Sequence, residues 1–147
     1  MFKHILIPTD GSKLANKAVR AGIEFAAAVG AKVTIYQGQE DILRYAYAEG
    51  YPLPSQTMET LESDAKALAE KNLAAARKIA AAAGVACEAF SARSVLPYEG
   101  IIGTAKKRKC DAIFMASHGR RGLSGILLGS VTHQVLTHSK IPVMVYR

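Results

Sequence analysis

Short apolar runs alternate along the chain with longer stretches in which apolar residues recur every three or four positions. The first run is Ile5–Ile7, and from Ser12 onward the apolar positions follow the helical period as far as Val29. These two patterns predict a buried strand followed by an amphipathic helix. Gly30 directly follows the helix and is its predicted C-cap, because glycine adopts the left-handed backbone conformation at little steric cost.

The same alternation continues to the last residue. Further strands are predicted at residues 33–36, 85–92, 111–115 and 141–146, and further helices at 57–83, 97–105 and 130–138. The predicted inward face of the longest helix consists of Met58, Leu61, Ala65, Leu68, Leu73, Ala76, Ile79 and Ala83. Residues 38–56 show no clear period and are interpreted as a long excursion that could include a helical turn; a lid and a protein-contact surface both remain open.

The predicted order of elements is βαβαβαβαβ, without an internal repeat. Near-continuous apolar strands separated by helices are typical of a parallel sheet with helices on both faces. The pattern therefore predicts a single α/β domain over residues 1–147, with a doubly wound, Rossmann-like sheet. In such sheets ligands bind beyond the carboxyl ends of the strands, where the winding reverses.

Composition supports a folded chain without a metal or disulfide framework. Half of the 147 residues are apolar and 21% are charged, which excludes an intrinsically disordered class. Cys87 and Cys110 have no CxxC spacing and no clustered histidine, so two reduced, buried thiols are expected. The apolar start is too short for a signal peptide and no segment is long enough to span a membrane, so the cytoplasm is the expected compartment.

The net charge of +7 favours an anionic partner but does not choose among nucleotide, nucleic acid and lipid headgroup. The densest basic run, residues 106–109, is predicted to lie in the last turn of a helix, where cations complement the helix dipole. No aromatic or arginine-rich reading surface accompanies this run, so a nucleic-acid partner is not expected.

Two segments carry candidate binding chemistry, and the first follows the first strand. Pro8, Thr9, Asp10, Gly11 and Ser12 place a carboxylate and two hydroxyls at the carboxyl edge of the sheet and at a helix start. Asp10 could accept hydrogen bonds from ribose hydroxyls. An acidic residue favoured by the dipole of the following helix explains the same position, and both interpretations stay open.

The second segment is the glycine-rich stretch 116–130, which follows the fourth strand. Its glycines, at 119, 122, 125 and 129, let the backbone approach an anion, and the N–H groups at the start of the next helix could cradle phosphate. It is not a Walker A loop, because no lysine precedes Ser130, and no GxGxxG follows the first strand. A generic glycine-rich turn remains an alternative.

Taken together, these segments resemble the universal stress protein family over essentially the whole chain. The resemblance is carried by residues 5–12, 111–115, 117–131 and 141–145, in the family's order and spacing. The nucleotide-binding branch of the family has the motif G-x2-G-x9-G-[ST]. Gly119 and Gly129-Ser130 match its later part, whereas Ala116 replaces the first glycine; a Cβ there would weaken the site if that backbone needed a positive φ or touched phosphate.

The resemblance implies a five-stranded sheet of order 3-2-1-4-5, in which the ends of strands one and four meet and Asp10 and Gly119 converge. It also implies a site for ATP, AMP or ADP, with any Mg2+ carried by the phosphates. Asp10 would contact the ribose, Gly119 and Gly129-Ser130 the phosphates, and Thr9 with the end of the second strand the adenine. The residues implied to bind the nucleotide are Pro8, Thr9, Asp10, Gln37, Ala116, His118, Gly119, Arg120, Arg121, Gly122, Gly129, Ser130 and Val131.

Several of these residues admit two roles. Gln37 could hydrogen-bond the base edge or face solvent, and His118 could orient the loop or touch the phosphates. At least one of Arg120 and Arg121 is expected to hold the phosphate tail, with a solvated arginine pair as the alternative. His133 and His138 are five positions apart on a short helix, so they are not a metal pair.

We therefore expect an adenine-nucleotide-binding sensor or regulator of the stress response, with slow or no hydrolysis, because no complete set of phosphoryl-transfer residues is visible. The alternatives are a nucleotide-free interaction protein and an ATP-using enzyme of the adenine-nucleotide α-hydrolase fold group. Pro142 favours a sheet edge for the last strand, so a homodimer through residues 141–146 is expected.

Overall fold

Five parallel strands form the centre of the structure, a computed structural model that describes residues 1–39, 50, 54–120 and 128–147. The strands are β1 (His4–Pro8), β2 (Lys32–Gln39), β3 (Cys87–Arg93), β4 (Ala112–Ala116) and β5 (Val143–Tyr146). Their order in the sheet is β3-β2-β1-β4-β5, as predicted, so the winding reverses between β1 and β4.

Helices cover both faces of this sheet. The described helices are α1 (Lys13–Val29), α2 (Ser55–Ala82), α3 (Pro97–Lys107) and α4 (Ser130–His138). On one face, α1 and α2 pack Ile23 and Leu73 against Ile5 and other strand residues. On the other face, α3 and α4 contribute Ile102 and Val135 to a second core cluster. The doubly wound α/β architecture is therefore confirmed.

The first helix has the start and end that the sequence predicts. The Ser12 hydroxyl accepts a hydrogen bond from Ala15 N at 3.2 Å and caps the N-terminus. Gly30 is the C-cap, with a φ of 69°. A left-handed backbone at this point favours glycine and ends α1 before β2 begins.

The long helix α2 differs from its prediction in its exposed half. It begins at Ser55 rather than residue 57, and its buried residues are Ala69, Leu73, Ala76 and Ala80. Leu61 and Leu68, predicted to face inward, are 41% and 46% exposed. A 28-residue helix is roughly 42 Å long, well beyond the length of strands of four to eight residues. Its first half therefore extends past the sheet.

The basic run lies where the sequence placed it, at the end of α3. Lys106 and Lys107 are in the last helical turn. Arg108, the C-cap, pairs with Glu88 at 2.8 Å and lies 4.7 Å from the centre of the Phe90 ring. No helix among the described residues is long and apolar enough to cross a membrane.

Both cysteines are free, and a buried polar network surrounds one of them at the amino ends of the strands. Cys87 is only half-buried, whereas Cys110 is 6% exposed. Burial raises the pKa of the Cys110 thiol to about 11. Next to it, His4 Nε2 lies 2.8 Å from the hydroxyl oxygen of buried Thr34. The imidazole is held inside the protein, where an added proton is poorly solvated.

This network predicts a loss of stability on acidification. Burial first, and then the charge of Lys32, lower the pKa of His4 from its ordinary value of 6.5, against smaller raising effects of Asp111 and Glu88. The unfolded chain therefore takes up the proton before the folded chain does, and stability falls as pH drops below 6.5.

In chemical denaturation at a series of pH values, His4→Gln should flatten this decline. The difference in slope between wild type and variant should not exceed about 1.4 kcal/mol per pH unit, the limit for one proton. Identical slopes below neutral pH would show that His4 does not contribute.

Candidate functional site

The carboxyl ends of β1 and β4 lie side by side at the point where the winding reverses. The two strands pair with Ile5 opposite Ala112 and Leu6 opposite Ile113. Asp10 follows β1 and Gly119 follows β4. A Cβ at Gly119 would overlap the Asp10 carboxylate, so only glycine allows this approach without a shift. The predicted convergence of Asp10 and Gly119 is confirmed.

Main-chain N–H groups from both strand ends hold the Asp10 carboxylate. Ser12 N donates to Oδ1 at 2.9 Å, and Arg120 N donates to Oδ2 at 2.8 Å. A carboxylate offers about four lone-pair positions, so about two remain for a further donor such as a sugar hydroxyl. The bonded oxygens fix the orientation of the group across the crevice.

Arg120 reaches the same turn with its side chain. Its Nε donates to the main-chain oxygen of Asp10 at 2.7 Å, and the residue is exposed. Arg120 therefore ties the loop after β4 to the loop after β1. Arg121 and Gly122, also predicted to bind nucleotide, lie outside the described residues.

The start of α4 lies beside the residues that follow β4 and has no capping side chain. Its N-cap is Gly129, whose own N–H donates to Ser117 O at 2.7 Å. A Cβ at Gly129 would lie 3.1 Å from His118 Cα, so the glycine permits close packing. Ser130 and Val131 begin the helix, and the N–H groups of such a first turn, with the helix dipole, attract anions.

Ala116, which replaces the first glycine of the motif, causes no backbone strain. It is the last residue of β4, opposite Tyr146, and is 7% exposed. Among described non-glycine residues only Lys109 has a positive φ. Thr132 Oγ1 donates to Ala116 O at 3.0 Å, which anchors α4 to this strand end. Alanine at position 116 could weaken the site through a required positive φ or through contact of its Cβ with phosphate. The first of these costs does not arise.

The ends of β1 and β2 form the other side of the crevice. Pro8 pairs with Tyr36, and Thr9 N donates to Tyr36 O at 2.8 Å. Gln37, the next residue of β2, is only 5% exposed, so the prediction that it could face solvent is wrong. Its Oε1 accepts a hydrogen bond from Asn72 Nδ2 at 3.2 Å. The Gln37 side chain is therefore held against α2 and away from solvent.

Asn72 and Ser117 are the site residues that sequence reasoning missed. Asn72 lies against Gly11, where its amide fills the space that a Cβ would occupy. The available signal was an asparagine next to Leu73, on the predicted inward face of an alanine-rich helix. Ser117 is 2% exposed, and its hydroxyl oxygen lies 3.1 Å from His118 Nδ1. His118 is thereby oriented by its neighbour within the loop.

The arrangement consists mainly of main-chain groups. One carboxylate, a bare helix start and the N–H groups between them can bind hydroxyls and phosphate. Within residues 1–39, 50, 54–120 and 128–147, no group of three His, Cys, Asp or Glu side chains could hold a metal ion.

Comparison with known sequences identifies the family. The universal stress protein family model matches residues 1–147. Universal stress protein YxiE of Bacillus subtilis is 30% identical over 149 aligned positions, covering 100% of both chains. Universal stress protein MJ0531 of Methanocaldococcus jannaschii is 32% identical, covering 100% of this chain and 83% of that protein.

Solved structures show the same fold. Protein MJ0577 of Methanocaldococcus jannaschii superposes with a TM-score of 0.82 at 28% identity, covering 99% of this chain and 95% of that one. A universal stress protein solved in complex with cAMP has a TM-score of 0.72 at 23% identity. The aligned region covers 99% of this chain and 97% of that protein's chain. The Archaeoglobus fulgidus protein in complex with dAMP has a TM-score of 0.67 at 18% identity, with coverage of 100% and 98%.

At their lower identities, the cAMP and dAMP complexes establish a shared fold rather than a shared ligand. The family model and the two sequence relatives span the whole chain and agree with the architecture observed. The resemblance seen in the sequence is confirmed, and the chain belongs to the universal stress protein family.

Proposed function

We propose that the protein binds ATP, or a related adenine nucleotide such as AMP or ADP, in the crevice between the tips of β1 and β4. The observation that carries this proposal is the Asp10 carboxylate, held by N–H groups from both strand ends. The ribose hydroxyls bind the remaining lone pairs of Asp10, and the phosphates lie at the N-terminus of α4 around Ser130 and Val131. Any Mg2+ is carried by the phosphates.

Two structural neighbours support adenine as the base. One universal stress protein was solved with cAMP and another with dAMP, and both ligands carry adenine on a sugar phosphate. In the proposed complex, Pro8, Thr9 and Gln37 at the strand tips bind the base and Asp10 binds the sugar. Gly119 and Gly129 lie at the phosphates.

The same residues support nucleotide binding without rapid hydrolysis of the nucleotide. Phosphoryl transfer needs a positioned nucleophile and a cation at the transferred group. Arg120, the described cationic residue that bonds to Asp10, is engaged otherwise, since its Nε donates to a main-chain oxygen. We therefore infer a nucleotide-occupied sensor or regulator of the stress response, working in the cytoplasm, with slow or no hydrolysis.

One observation favours a second candidate, a nucleotide-free interaction protein. In this structure the main-chain N–H of Arg120 donates to the Asp10 carboxylate and its Nε donates to the Asp10 main-chain oxygen, so the chain's own groups occupy part of the crevice. If that contact is stable in solution, the fold serves as a scaffold for protein contacts instead. Retention of nucleotide through purification separates the two candidates.

We also propose a homodimer through β5, because the opposite edge of the sheet is protected. The hydrogen bond from Val33 N to Ala86 O sets the register, so Ala89 O points away from β2. Arg77 on α2 donates to that oxygen and pairs with Glu70 at 2.6 Å. On β5, which follows Pro142, the N–H and C=O groups of Val143 and Val145 point to the free edge.

Asp10→Asn should weaken nucleotide binding. The change removes the charge and turns one of the two oxygens into a donor that faces Arg120 N, so ribose and loop contacts are lost together. Loss of a hydrogen bond to a charged group predicts a rise in Kd for ATP of about tenfold to hundredfold in calorimetric titration. Asp64→Asn, which makes the same change on the exposed part of α2, should leave Kd unchanged. Equal affinity of wild type and Asp10→Asn would contradict the site.

The dimer proposal is tested by proline substitutions on the two edge strands. Val145→Pro removes an outward-facing N–H of β5 without removing a bond to β4, so sedimentation equilibrium at micromolar concentration should show a monomer. Ser91→Pro makes the same backbone change on β3, where residue 91 also faces outward, and should leave the dimer intact. A monomeric wild type, or a dimer lost only in Ser91→Pro, would refute pairing through β5.

A further inference from the structure

The most specific polar contact near the proposed base position joins two amides from different layers. Gln37 lies at the carboxyl end of β2 on the face that carries Val33 and Ile35, and α2 packs on this face. Asn72 reaches from α2 to the Gln37 side chain. Because Gln37 is 5% exposed, the surroundings restrict the orientation of its amide.

The position of Asn72 is itself restricted by the turn that carries Asp10. Gly11 has a φ of 76°, and the Asn72 amide occupies the space beside its Cα. Asn16 Nδ2 donates to Gly11 O at 3.3 Å from the α1 side. Thr9 and Asn72 also line a common cavity of about 130 Å³ between α1 and α2. The amide of Asn72 is therefore packed between the Gly11 turn and Gln37.

This packing sets which end of the Gln37 amide is left for another partner. Asn72 Nδ2 donates to Gln37 Oε1 at 3.2 Å, so the acceptor end of the Gln37 amide is engaged by the helix. The remaining polar atom is Nε2, whose amide carries two donor hydrogens. Main-chain bonding between Thr9 N and Tyr36 O keeps this end of β2 beside the Asp10 turn.

We propose that the Gln37 side-chain amide hydrogen-bonds the edge of the bound base. Asn72 fixes the orientation of that amide, so that its Nε2 donor points toward the base. This inference rests on the proposed nucleotide site and adds a specificity to it. A donor fits a purine edge whose N1 accepts a hydrogen bond, as in adenine, and opposes guanine, whose N1 carries a hydrogen. Gln37 is thus a specificity-determining residue, and Asn72 is a positioning residue that acts through it.

The sharpest test is Asn72→Asp, measured as the ratio of the dissociation constants for GTP and ATP. A carboxylate at position 72 can only accept, so the Gln37 amide must turn its Nε2 toward α2 and present Oε1 to the base. The ratio should then fall by at least about tenfold relative to wild type, because the base edge now meets an acceptor. The added negative charge repels the phosphates of both nucleotides equally and cancels in the ratio.

Gln56→Glu is the matched control, since it adds the same charge to the exposed first turns of α2. It should leave the ratio unchanged. Gln37→Met, which keeps the length of the side chain and removes its amide, should bring the ratio close to one and provides the test if Asn72→Asp fails to fold in circular dichroism.

The outcomes separate this inference from the proposed function. If ATP binds and Asp10→Asn weakens it, but both variants at 37 and 72 keep the wild-type ratio, the nucleotide site stands and base reading by Gln37 is wrong. If wild type binds neither ATP nor GTP at millimolar concentration, the proposed function fails and the inference fails with it.

Discussion

The Asp10 carboxylate links two loops that are more than one hundred residues apart in the chain, and the proposed site depends on that link. Its two oxygens accept N–H groups of Ser12 and Arg120, so the turn after β1 and the loop after β4 share one charged group. Hydrogen bonds to a charged group contribute more than neutral ones, typically about 1.5–3 kcal/mol. The contact is possible because the reversal of winding makes β1 and β4 neighbours.

Elsewhere in the crevice, glycines leave the space that close contacts between its segments require. Gly119 permits contact with Asp10, Gly129 permits α4 to begin against His118, and Gly11 leaves room for Asn72. A site made from main-chain donors is well suited to hold sugar and phosphate groups. Among the described residues it supplies few groups that could activate a nucleophile, and the proposed function is accordingly that of a sensor.

Much of this could be predicted from the sequence because the signals are local. The run Ile5–Ile7, the cap residues Ser12 and Gly30, and the alternation of strands and helices each depend on near neighbours, and the parallel order follows from them. The glycine spacing likewise places Gly119 and Gly129 after β4. These features were confirmed, as was the convergence of Asp10 and Gly119.

Tertiary contacts explain what the sequence did not reveal. The contact of Gln37 with Asn72 joins β2 to a helix 35 positions away, and no periodicity reports such a pairing. Exposed Leu61 belongs to the part of α2 that extends past the sheet. Exposed Leu68 lies five positions before buried Leu73, about 140° around the helix, and is therefore on another side of it. Amphipathic spacing shows which side of a helix can face a core, not how far the core extends.

The most direct test of the site is a crystal structure of the protein grown with millimolar ATP. Ribose hydroxyls should lie within hydrogen-bond distance of the Asp10 carboxylate, with phosphate oxygens at the main-chain N–H groups of Ser130 and Val131. An empty crevice, with Arg120 still bonded to Asp10 and the nucleotide absent or bound elsewhere, would contradict it.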